Sequence, residues 1–167
     1  MSRLARICRH WFSTHRAVRR HFPAASLQRI EREIGTCEER HSGEIRFAVE
    51  AALHPAQVWR GLTPRQRAVE VFAQLHVWDT EHNNGVLVYL LLADRTVEIV
   101  ADRGVAGGRI AEGEWDAVCR LMEKYFREGE FEDGVVAGIE AVADVLARYP
   151  PGAPRTANEL PDAPVIL

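Results

Sequence analysis

Residues 85–101, GVLVYLLLADRTVEIVA, decide the fold. Gly85 to Ala93 is apolar at almost every position and does not alternate, the pattern of a strand covered on both faces. Asp94-Arg95 reads as the two-residue connection of a hairpin, and Thr96 to Ala101 as the returning strand. A central strand needs a neighbour on its other side and helices above and below it. Upstream, EIRFAVEAAL (44–53) alternates: Ile45, Phe47 and Val49 point one way, Glu44, Arg46 and Glu50 the other. That is a strand with one wet or helix-rimmed face. Between the two strands, His54 to Leu62 reads as a loop. Thr63-Pro64 then opens a helix, with Thr as N-cap, Pro at the first helical position, and Ala68, Val71, Phe72 and Leu75 on its stripe. Strand, helix and strand in this order predict a right-handed crossover and parallel pairing.

Further out, the first 23 residues read as one basic helix, with Leu4, Ile7, Trp11 and Val18 near one face and Phe22-Pro23 as its end. Ser26 is the expected N-cap of a second helix with Leu27, Ile30, Ile34 and Cys37 in line, stopped by His41-Ser42-Gly43. Beyond the hairpin, Gly104, Gly107 and Gly108 mark a loop. Glu114–Phe126 and Phe131–Tyr149 are two closing helices, and Pro150, Pro151 and Pro154 end the second. The tail, RTANELPDAPVIL, has no periodicity and is expected to be extended, either docked or frayed. The predicted fold is a three-layer α/β/α sandwich with a small mixed sheet. Its expected parts are a basic helical arm (1–25), one domain (26–150) and an extended tail (151–167).

Composition narrows the classes. With 47% apolar and 27% charged residues, the chain is that of a globular domain able to bury a core without staples. Cys8, Cys37 and Cys119 are three, with no CxxC, which argues against a disulfide framework and against zinc. The longest apolar run is too short to span a bilayer, and the N-terminus has no uninterrupted apolar stretch of a leader peptide. The expected compartment is the cytoplasm, with peripheral contact at the inner face of the membrane as a second expectation. Residues 1–30 hold seven Arg and no acid, so the net −3 divides into +7 and −10. Such an arm either folds back on the acidic body, the reading favoured here, or binds an anionic membrane through residues 1–23. Nucleic acid is not the expected partner. With twenty Arg to one Lys, Lys124, the choice of Arg carries little information about phosphate binding.

Three stretches occur at the order and spacing of one family: SGEIRFAVE (42–50), RAVEVFAQLHVWDTEHNNGVLVYLLLADRTVEIVADRGV (67–105) and FREGEFEDGVVAGIEAVADVLARYP (126–150). Together they resemble the TPM domain, named for thylakoid-lumen, photosystem II repair and receptor-modulator proteins, over residues 26 to 150. The chain is similar to the short bacterial version without signal peptide or membrane anchor. The resemblance implies an α/β/α sandwich, calcium binding as in some members, and the weak acid phosphatase activity attributed to a plant member. The chain departs from the pattern at Ala101-Asp102, where the family often has Gly-Asp; the acid is kept.

The predicted topology gathers chemistry at one sheet edge. Parallel strands start together, and the returning strand ends beside them. Glu44, the turn from Asp79 to Asn84, and Asp102-Arg103 should therefore converge. Glu44, Asp79, Glu81, Asn84 and Asp102 offer the hard oxygen ligands that Ca²⁺, or Mg²⁺, takes, with His82 nearby. The spacing is not that of an EF-hand. The plainer reading is turn chemistry, since Asn and Gly tolerate left-handed backbone and Asn caps its own chain. GVAGGR (104–109) is a weaker candidate, a backbone cradle for phosphate. No GxSxG, HExxH or comparable arrangement of nucleophile and base appears, and the cysteines read as core or interface residues. The expected function is thus an accessory or binding module that recognises a protein partner near the membrane, with a divalent-cation site at the acidic edge. The alternative is a weak metal-dependent phosphatase at the same edge; whether the chain is an enzyme stays open, with no activity the leaning.

Overall fold

The apolar run forms the interior of a four-stranded sheet. The computed structural model describes residues 3–105, 109–149 and 158–167. Strands β1 (Glu44–Glu50), β2 (Gly85–Leu91), β3 (Thr96–Ala101) and β4 (Val165–Ile166) lie in the order β3-β2-β1-β4. β1 and β2 pair in parallel from Glu44 opposite Gly85 to Glu50 opposite Leu91. β3 returns antiparallel, with Val86 opposite Ala101 and Leu91 opposite Thr96. Every residue of β2 is buried, as a central strand requires.

β2 ends two residues earlier than the sequence suggests, and the hairpin turn has four residues, Leu92–Arg95, rather than two. The amides of Leu92 and Ala93 stay bonded to the carbonyls of Glu50 and Ala51 (2.9 and 3.1 Å), so the chain still follows β1 after it has left β3. Arg95 closes the turn at φ 52. The tail supplies an element the sequence did not announce. Val165 and Ile166 pair in parallel with Ala48 and Val49 of β1. A two-residue strand has too few side chains to show a period.

Helices cover both faces. On one, α2 (His15–His21), α3 (Ala24–Glu38), α6 (Glu112–Glu128) and α7 (Phe131–Arg148) pack on Ile45, Phe47, Val49, Val86, Val88 and Leu90. On the other, α1 (Arg3–Phe12), α4 (Pro55–Trp59) and α5 (Pro64–Gln74) lie over Ala48, Leu87, Tyr89 and Leu91. That second face of β1 is covered except at the half-buried Arg46. Glu50 is buried, and Arg67 of α5 grips it with two hydrogen bonds of 2.8 and 3.1 Å, while the Tyr89 hydroxyl donates to it at 2.5 Å. Burial raises the Tyr89 phenol far above its usual range, so it stays a donor.

The caps explain the helix boundaries. Thr63 caps α5 as expected, and Gln66 completes a capping box. The expected loop after β1 contains α4, which His54 caps by accepting from the Ala56 amide while Gln57 accepts from the His54 amide. α3 starts at Ala24, before Ser26, with Pro23 as its N-cap; the Ser26 hydroxyl donates instead to Glu132 of α7. The basic arm is two helices, broken at Ser13-Thr14, and its predicted stripe is divided: Ile7 and Val18 pack inward, Leu4 and Trp11 face outward. The arm is held by polar groups. Arg6 and Arg9 reach Asp94 at 2.8 and 2.7 Å, and the His10 imidazole lies 3.2 Å from it. No helix among the described residues is long and apolar enough to cross a membrane.

Candidate functional site

The start of β1 and β2 and the end of β3 lie at one sheet edge, as the predicted topology requires, and several polar residues there have a definite task. Thr80, buried, accepts the Asn84 amide on its hydroxyl at 3.0 Å and the Asn83 amide on its carbonyl at 3.1 Å. Asn83 takes the left-handed conformation, φ 52, that lets the chain reverse into β2. Asn84 joins the strands: its carbonyl accepts from the Glu44 amide, and its side-chain Nδ2 donates to the Ser42 carbonyl. Across the sheet the Asp102 amide donates to the Gly85 carbonyl at 2.9 Å, and the Gly104 amide to the Asn83 carbonyl at 2.9 Å. A Cβ at Gly104 would come within 2.1 Å of the His82 carbonyl oxygen, so only glycine lets the loop after β3 lie on the turn before β2.

The acids are distributed rather than pooled. Glu44 Oε2 accepts from the Glu159 and Leu160 amides, both at 3.2 Å, and fastens the C-terminal tail. Glu159 in turn accepts from the Glu81 amide at 2.8 Å. Asp79 and Glu81 direct their side chains to solvent. The Val77 carbonyl lies over Gly85, 2.0 Å from where a Cβ would sit, and so occupies the space between the strand positions of Glu44 and Asp102. Among the described residues no group of three or more His, Cys, Asp or Glu is close enough to hold one metal ion.

Two oxygens remain. Asp102 Oδ1 accepts from the Arg103 amide at 2.7 Å, but its Oδ2 is buried and has no hydrogen-bond partner among the described residues. Asn84 Oδ1 is in the same position. Unpartnered buried acceptors are costly, and a carboxylate oxygen more so than an amide. Both are hard oxygen donors of the kind Ca²⁺ and Mg²⁺ accept, while Glu44 Oε2 is committed to the tail. The sequence did not single out Glu159, Ser42 or Thr80. Gly104 was visible as a loop glycine; its contact with the turn was not.

The other candidates are quieter. Cys37 is buried and Cys119 half-buried; burial raises their thiols to about 11 and about 12, which leaves them protonated and unreactive. Cys8 is exposed. Of GVAGGR, residues 106–108 lie outside the described residues.

The TPM domain family matches residues 20–145, and the chain belongs to that family. The solution structure of the BA42 protein from the psychrophilic bacterium Bizionia argentinensis is similar to it, with a TM-score of 0.75 and 29% identity over 87% of this chain and 95% of that one. No curated protein matches the chain.

Proposed function

We propose that this TPM domain is a binding module whose sheet edge takes a divalent cation, Ca²⁺ or Mg²⁺, and that the loaded edge recognises a protein partner. The observation that supports the reading is Asp102 Oδ2, a buried carboxylate oxygen without a donor among the described residues, at the end of the strand that flanks the polar turn. A cation bound at Asp102 would supply the missing charge, with water completing the shell. Glu44, Asp79 and Glu81 would add field rather than direct bonds. Hydrolysis of phosphate esters would need an assembled base and nucleophile as well. Among the described residues no hydrogen bond joins the side chains of Asp79, His82 and Asp102, which favours binding over catalysis.

The test is a Ca²⁺ and Mg²⁺ titration followed by amide NMR, with Asp102→Ala as control. Saturable shifts confined to residues 44, 79–85 and 102–105, and lost in the variant, are the expected result. Absence of shifts at millimolar metal would reduce the edge to a turn that starts a buried strand. Metal-stimulated phosphatase turnover abolished by Asp102→Ala would move the reading to the enzymatic alternative.

A further inference from the structure

We infer that the outer surface of the N-terminal arm is a docking face for an anionic lipid bilayer. The inference does not depend on the cation site; the arm meets the opposite end of the sheet, at the β2–β3 turn.

α1 is mounted with its polar stripe inward. Arg6 and His10 face Asp94, and His10 Nδ1 also accepts the buried Leu53 amide at 2.9 Å. One turn apart on the outer side stand Leu4, Cys8 and Trp11, positions i, i+4 and i+7, with Phe12 beside them. Leu4 is 68% exposed, Trp11 69% and Phe12 80%. Trp59 of α4, the helix on which α1 packs, is 66% exposed. An amphipathic helix that shows water its Leu, Trp and Phe has a surface suited to another medium.

The charge of the arm points to the medium. Arg6 and Arg9 share Asp94, which balances one of their two charges, and Arg16, Arg19 and Arg20 of α2 are exposed and form no ion pair among the described residues. Burial and the fields of Arg20 and Arg95 lower the pKa of His21. Between α1, α2 and the turn runs a groove of about 440 Å³, lined among others by Phe12, Ala17, His21, Arg95 and Phe131. Apolar floor, cationic rim and projecting aromatic rings match lipid phosphates above acyl chains. A nucleic-acid duplex would engage the arginines but leave Leu4, Trp11 and Phe12 in water, and so accounts for half of the surface.

The experiment is cosedimentation of the full chain with phosphatidylglycerol–phosphatidylcholine vesicles and with phosphatidylcholine vesicles alone, alongside quenching of tryptophan fluorescence by brominated lipid. Binding that requires the anionic lipid, weakens with salt and quenches Trp11 is expected. Trp11→Ser with Phe12→Ser, both at exposed positions, should keep the thermal melt and weaken binding about tenfold or more. Arg19→Glu with Arg20→Glu should weaken it by about fivefold per residue or more. The inference is overturned by no sedimentation with anionic vesicles, by equal binding to neutral ones, or by variants that bind like the parent. It is equally overturned if a single-stranded RNA binds more tightly than vesicles without needing Trp11 and Phe12, or if a dimer of the chain buries Trp11 and excludes the vesicles.

Discussion

Asp94 accepts hydrogen bonds from Arg6 Nε at 2.9 Å and Arg9 Nη2 at 2.7 Å, and faces the His10 imidazole at 3.2 Å. Burial alone would raise its carboxyl; the neighbouring His10 and Arg6 side chains outweigh that and hold it at about 2, below its ordinary 3.8. A carboxylate whose folded pKa is depressed contributes stability that is complete above its unfolded pKa and is lost as pH falls through the folded one. Attachment of the arm should therefore be constant above about pH 4 and weaken between about 4 and 2, by about 1–2 kcal/mol after discounting for solvent screening. Amide exchange in residues 3–12 reads this directly. Asp94→Asn should give fast exchange there already at neutral pH, and an unchanged pattern would remove Asp94 as the anchor. In the sequence Asp94 is only a turn residue, because its three partners lie more than eighty positions away. Asn83 and Asn84 were legible as turn chemistry; that Asn84 leaves one oxygen without a donor depends on Ser42 reaching its other end.

At the scale of elements, the hairpin, the crossover helix with its Thr-Pro start, and the two closing helices were readable because each repeats one period over many residues. The short pieces were not. α4 has five residues and β4 two, and both exist through contacts rather than pattern. β4 shields the edge of β1, and the segment leading to it places Leu160 in the core and gives Glu44 its two amide donors, Glu159 and Leu160. Deleting residues 158–167 should lower stability in urea unfolding by about 3–5 kcal/mol, from lost apolar burial and lost hydrogen bonds to a buried carboxylate. Glu44→Gln, which keeps one acceptor oxygen, should lose less than half of that. A deletion with the parent's midpoint would show that the tail is an ornament to the sheet. The divided stripe of the arm follows from the same cause: Asp94 turns α1 by its polar side, against its hydrophobic pattern.

Across the whole molecule the two candidate surfaces sit at opposite ends of one sheet. Asp94 and Asp102 are separated by the length of β3, about 20 Å at the usual rise per residue. Between them lie β2, buried throughout, and the half-buried β3, and the two acids share no side-chain partner among the described residues. Stability changes in Asp94→Asn and Asp102→Ala should then add in the double variant to within about 0.5 kcal/mol. A larger coupling in equilibrium unfolding would mean that the sheet transmits strain between its ends. Two independent ends suit a module that joins a surface to a partner.

The sequence by itself determined the mixed sheet, its parallel crossover, the central strand and the layering, because those rest on hydrophobic period and turn residues, which are local. It also brought the polar residues of one edge together, since topology alone does that. Which of those residues keep a buried oxygen without a donor, which way the arm faces, and where the tail docks were decided by tertiary structure. Each depends on a partner distant in the chain, and hydrogen-bond satisfaction and burial are properties of the folded neighbourhood rather than of any window of sequence.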